Sequence, residues 1–165
     1  MRRMIASMLA FLLVLPALAG CAGRLVLPES RPADYTMLVT VYPAQARAGG
    51  GDDPAFRAAR YAVESDGLLR AEVGAGVVEP GFPPIARRLE PAQLDAVYAL
   101  AREAETTAGR RVPGPLVYTP PGDASVAVVE IGSGGVYRAH EVDASPASRA
   151  APLIRELARL SWLDG

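Results

Sequence analysis

The chain has 165 residues, half of them hydrophobic, with 17 basic residues, all arginine, against 18 acids and a net charge of −1. That balance excludes a polybasic nucleic-acid binder, whose affinity comes from neutralising phosphates. Cys21 is the one cysteine, so no intrachain disulfide is possible and stability has to come from packing.

Arg2 and Arg3 precede an apolar run from Met8 to Leu15, and small residues follow at Ala17, Ala19 and Gly20. This is the layout of a secretory signal, too short for a comfortable membrane span. Leu18-Ala19-Gly20-Cys21 resembles the lipobox of bacterial lipoproteins. The resemblance implies cleavage before Cys21, a diacylglycerol on its sulfur and acylation of the new amino group. Two or three acyl chains anchor a protein stably where one does not. The implied partner is therefore a membrane. Ala22, where inner-membrane lipoproteins often carry Asp, implies the outer membrane, facing the periplasm, if the host is Gram-negative. Without residues 1–20 the chain keeps 145 residues, with 15 arginines and 18 acids, enough for one domain with a core.

Residues 22–34, with Pro28 and Pro32, read as an extended leash, and a single domain is expected over 35–165. Tyr35 to Tyr42 is β-branched and aromatic with both faces apolar, which predicts a central strand ended by Pro43. Residues 44–56, with Gly49, Gly50, Gly51, Asp52 and Asp53, read as a solvated loop; the acidic pair lacks the ligand alternation of a calcium loop. Ala59 to Glu64 and Leu68 to Val73 flank Ser65-Asp66-Gly67 and predict a hairpin. A two-residue turn would set Val63 opposite Arg70, whereas a three-residue loop pairs Val63 with Leu69 and Tyr61 with Ala71. Paired residues share a face, so the second register separates apolar from polar side chains and places Gly67 in a left-handed bulge turn.

Residues 74–84 are rich in glycine and proline and read as irregular, and Ile85 to Leu89 predicts a short strand. Glu90 is a cap and Pro91 suits the first helical position. Leu94, Val97, Tyr98, Ala101 and Ala104 then fall on one face at helical spacing, with Arg102, Glu103 and Glu105 mostly outside it and Gly109 as a stop. The following segment, 109–124, is long and proline-rich, and long loops are usually functional or disordered. Arg110 and Arg111 are candidates for bidentate capture of an anion, and Tyr118 for stacking on a ligand or partner.

Val126 to Ile131, a turn at Gly132-Ser133-Gly134-Gly135 and Val136 to Val142 predict a second hairpin. The turn matches neither a phosphate loop nor a nucleophile elbow, both of which lead from a strand into a helix. A last helix follows, capped by Ser145 or Ser148, with Ala150, Leu153, Ile154, Leu157 and Leu160 on its apolar face and Trp162 and Leu163 closing the core. His140 is the sole histidine and alternates with Arg138 and Val142; it reads as a surface strand residue. No residue pattern supports a catalytic triad or a zinc site, so no catalytic residue, metal or cofactor is expected.

These elements predict an α+β domain, a mainly antiparallel sheet with two helices packed on one face. The order hairpin, helix, hairpin, helix resembles the emfourin-type protease-inhibitor domains over residues 58–163. The resembling features are the Leu94 to Ala104 helix, the Val126 to Val142 hairpin and the Leu153 to Leu163 helix. That family's early Ser-Gly-Gly strand signature has no counterpart near Tyr61, so no functional residue is carried over. The expected function is a non-catalytic, lipid-anchored binding or accessory module of the cell envelope, with an envelope protein as candidate partner. An envelope-assembly or structural lipoprotein is the alternative, and a hydrolase built on scattered carboxylates or His140 is the third.

Overall fold

The computed structural model describes residues 27–44, 53–74, 81–106, 110–112 and 118–161. The alternating segments of the sequence become β1 (Thr36–Tyr42), β2 (Ala59–Val63), β3 (Leu68–Val73), β4 (Ile85–Arg88), β5 (Val126–Ser133) and β6 (Val136–Asp143). The two segments with helical spacing become α1 (Pro91–Thr106) and α2 (Ala151–Ser161). The strands form one six-stranded sheet in the order β4-β3-β2-β1-β5-β6, and every pairing is antiparallel. The fold is α+β, as expected.

One face of the sheet carries both helices. Met37, Val39 and Val41 of β1, Tyr61 and Val63 of β2, Leu69 of β3, and Ala127, Val129 and Ile131 of β5 form one cluster there. The apolar stripe of each helix closes onto it: Leu94, Val97, Tyr98, Ala101 and Ala104 from α1, and Leu153, Ile154, Leu157 and Leu160 from α2, all buried. β1 is central because it is apolar on both sides, and it buries Tyr42 on the opposite face.

The first hairpin takes the three-residue register, with Tyr61 opposite Ala71 and Val63 opposite Leu69. Gly67 has φ +88°, and its carbonyl accepts from Leu89 N at 2.8 Å, which ties the turn to the start of α1. Glu90 opens α1 as expected; Gln93 Oε1 accepts from its backbone N–H at 2.9 Å, half of a capping box. The second hairpin is tighter than the four-residue turn expected. Gly132 and Ser133 pair with Tyr137 and Val136, leaving only Gly134-Gly135, at φ +59° and +72°, as a two-residue turn. Two successive left-handed residues match the right-handed twist of the strands, which is why the glycine pair sits there.

Two expectations are corrected. Residues 27–34, expected as part of the leash, pack on the domain: Leu27 is 3% exposed in the core. Pro28 O accepts from Tyr98 Oη at 2.7 Å, Glu29 O from Arg102 at 3.2 Å, and Arg31 pairs with Asp95 at 2.8 Å. The segment bends at residues 29–30 and turns at 33–34, where Tyr35 N donates to Pro32 O at 3.2 Å, and the donors of α1 satisfy its carbonyls and hold it down. Neither serine side chain caps α2. Ser145 Oγ donates to Asp143, and Ser148 contributes only its carbonyl, which accepts from Ala151 N. Gly109, Trp162 and Leu163 lie outside the described residues.

Candidate functional site

Residues 110–112, after α1, lie along the edge of β6. Arg111 pairs with His140 in an isolated antiparallel bridge, Val112 N donates to Ala139 O at 3.0 Å, and Glu141 N donates to Arg110 O at 2.9 Å. Neighbouring residues of extended chain point to opposite faces. Arg110 and Val112 therefore go to the helix-free face and Arg111 to the helix-covered face. The two arginines expected to grip one anion together are separated by the sheet.

On the helix-free face Val112 joins Tyr42, Val126, Val128 and Ala139 in a second apolar cluster, with Tyr118 packed against it. The rings of Tyr118 and Tyr42 lie 5.5 Å apart and tilted by 50°. Tyr118 Oη donates to Glu141 Oε2 at 2.8 Å, and Arg110 Nη2 lies 3.6 Å from the same oxygen. Burial, then the bond to the Glu141 carboxylate and its charge, hold the Tyr118 phenol well above the usual tyrosine range. Tyr118 and Arg110 thus meet, but at a carboxylate of the protein itself.

Beside this cluster lie two polar groups that sequence reasoning did not single out. Glu130 is 3% exposed and Thr40 is 4% exposed. Glu130 Oε1 and Thr40 Oγ1 are buried and have no hydrogen-bond partner among the described residues. β1 brings them together: Leu38 sits opposite Glu130, and Thr40, two residues on and on the same face, sits opposite both Val128 and Arg60. Burial pushes the Glu130 carboxyl up to about 7, while the Arg60 charge pulls the other way. Tyr42 is raised by burial and by the Glu130 charge. The signal was present in the sequence. In Val126-Ala127-Val128-Val129-Glu130-Ile131, one acid interrupts a strand that is apolar on both faces.

Burying polar oxygens without partners costs about 1–3 kcal/mol each. Such a pair is an acceptor site for a donor group, and a carboxyl that titrates near neutrality is in the range useful for proton transfer. Among the described residues no group of three His, Cys, Asp or Glu side chains is placed to hold a metal ion. Asp53, one of the acids weighed as a calcium ligand, accepts from Ala55 N at 3.1 Å and pairs with Arg155 at 3.2 Å.

His140 is not the surface residue expected. It sits opposite Val129 on the helix-covered face, half-buried, with Nε2 buried and without a partner among the described residues. The Arg138-His140-Val142 alternation looked wet because of its arginine, but Val142 on the same side is a core residue and α1 packs on β6. Burial first, then the charges of Arg111 and Arg138, lower the imidazole pKa. Cys21 lies outside the described residues, and among those described no helix is long and apolar enough to cross a membrane. No protein-family model, curated protein or solved structure matches the chain.

Proposed function

We propose that the protein is a non-catalytic binding or accessory module of the cell envelope, held at a membrane by acyl chains on Cys21. The observation that carries this reading is the short spacing between the lipobox-like Leu18-Ala19-Gly20-Cys21 and Leu27, which is packed in the core. Only residues 22–26 lie between them. Six extended steps reach roughly 20 Å, so a domain on this leash stays close to the headgroups and presents its surfaces to partners there. The helix-free face supports a binding role, since Glu130 and Thr40 offer buried acceptors near Tyr42.

The test compares the full chain with Cys21→Ser in cells fed labelled palmitate, followed by carbonate washing of the membranes. The parent chain is expected to carry label and stay in the washed membranes, and the serine variant to do neither. Retention of the serine variant after the wash overturns the proposal.

A further inference from the structure

We infer that Arg111, Arg138 and His140 form a binding site for a phosphate group at the edge of β6, on the helix-covered side of the sheet. Two stretches of the chain converge there. Register places Arg138 and His140 two residues apart on one face of β6, opposite Ile131 and Val129. The bridge between Arg111 and His140 places Arg111 beside the imidazole on that same face. Arg111 is exposed, while Arg138 and His140 are half-buried.

The charge pattern of the rest of the molecule makes this cluster unusual. Arg31, Arg70, Arg88, Arg110, Arg155 and Arg159 each pair with an acid. Arg60 and Arg102 each bond a backbone carbonyl. Among the described residues, Arg57, Arg111, Arg138 and Arg149 have neither kind of partner, and of these Arg111 and Arg138 are the two whose charges reach His140. β5 faces the cluster with the apolar Val129 and Ile131, and among the described residues the charges felt at His140 come from Arg111 and Arg138. Two guanidinium groups beside an imidazole repel one another. An anion accepting from all three converts that repulsion into charge-assisted hydrogen bonds.

Planar guanidinium forks match the oxygens of a phosphate in pairs, and a tetrahedral oxyanion can take donors from several directions at once. A free phosphate and the headgroup of a phospholipid share this chemistry. The soluble arm of the test is independent of the anchoring proposed above.

His140 is the sole histidine in the chain, so its ring signals are unambiguous once histidine is isotopically labelled. The full protein in a neutral detergent is titrated with pH at increasing inorganic phosphate, against chloride at matched ionic strength. The expected result is an upward, saturable movement of the His140 titration in phosphate and none in chloride, because a bound anion favours the imidazolium. Arg111→Gln and Arg138→Gln are each expected to raise the half-saturating phosphate about tenfold, the loss of one charge-assisted contact.

The second arm places the protein in nanodiscs of phosphatidylcholine alone or with phosphatidic acid. Movement with phosphatidic acid that both variants lose assigns the site to headgroups, and movement with soluble phosphate alone assigns it to the free ion. An equal response in chloride, a response that both variants keep, or none in either arm overturns the inference.

Discussion

The two faces of the sheet are built on different principles. The helix-covered face is packed with aliphatic and aromatic side chains from five strands and both helices, and its stability is that of a jigsaw core. The helix-free face has a small apolar cluster, completed by Val112 and Tyr118 from the segment after α1, and beside it two buried oxygens without partners. The first face mainly holds the fold, with His140 Nε2 as the polar atom left over at its β6 edge. The second retains unsatisfied groups that only a ligand, a partner or a proton can satisfy. Functional groups are to be sought where the packing is incomplete in this chemical sense.

The sharpest way to break this contrast is to remove equal kinds of contact from each side. Leu157 and Val128 are both fully buried, one under the helices and one on the helix-free face. Leu157→Ala is expected to cost about 3 kcal/mol, the middle of the range for large-to-small core changes. Val128→Ala removes two methyl groups from a cluster less able to trap a cavity, and about 1.5 kcal/mol is expected. Urea midpoints measure both. Equal losses would mean that the two faces are one core.

Glu130→Gln tests the polar half of the comparison. The carboxyl is raised from its ordinary value of 4.5 to about 7 in the folded protein. Between those values the folded state holds the proton more tightly than the unfolded chain. Stability therefore falls as pH rises through this window and is flat above it. The neutral glutamine escapes that loss. It is expected to be more stable than the parent at pH 8 by about 2 kcal/mol, with the difference shrinking toward zero at pH 4. A constant difference across this range would show that charge is not what burial penalises here.

The helix-covered face was legible in the sequence because one periodicity wrote it. The stripes Leu94 to Ala104 and Ala150 to Leu160, and the segregation of Tyr61 and Val63 from Arg60 and Glu64, each predict one buried side. The hairpin register followed from the same logic and was correct. The helix-free face was less legible because its cover comes from chain distant in sequence. Val112 reaches Ala139 and Tyr118 reaches Glu141 only after α1 has turned the chain back. Alternation within a loop, which sends Arg110 and Arg111 apart, becomes readable only once that loop is known to pair with β6. The leash was overestimated for a related reason: proline and charge say that residues 27–34 are extended, not that α1 will bind them.

Gly67→Ala probes the turn on which the first hairpin's register depends. A Cβ there would meet Leu89 O at 3.1 Å, and φ is +88°. Alanine is strained in that region and must also shift the tie to Leu89. A loss of about 1–2 kcal/mol is expected, read as a lower denaturation midpoint with the strand content retained. No change would count against the bulge turn and hence against the register that sorts the two faces.

The smallest expected effect is that of Tyr118→Phe. The ring stays against Tyr42 and keeps its apolar contacts, so the change isolates the hydroxyl. That hydroxyl donates to Glu141 Oε2, and without it the carboxylate keeps Arg110 at 3.6 Å. A hydrogen bond to a half-exposed charged acceptor contributes about 1 kcal/mol, and a loss of that size is expected at pH 7. The sign of the pH dependence gives the assignment a second handle. Folded Tyr118 is held above its ordinary value of 10.0, chiefly by burial and then by Glu141. Once pH exceeds 10 the unfolded tyrosine ionises and the folded one does not, so the parent loses stability that the phenylalanine variant has no means to lose. The gap between the two proteins should therefore narrow from pH 9 to pH 11 in matched urea titrations. A gap that stays constant would place the hydroxyl in water rather than on Glu141, and the segment after α1 would then be a cover for the helix-free face through Val112 and the tyrosine ring alone.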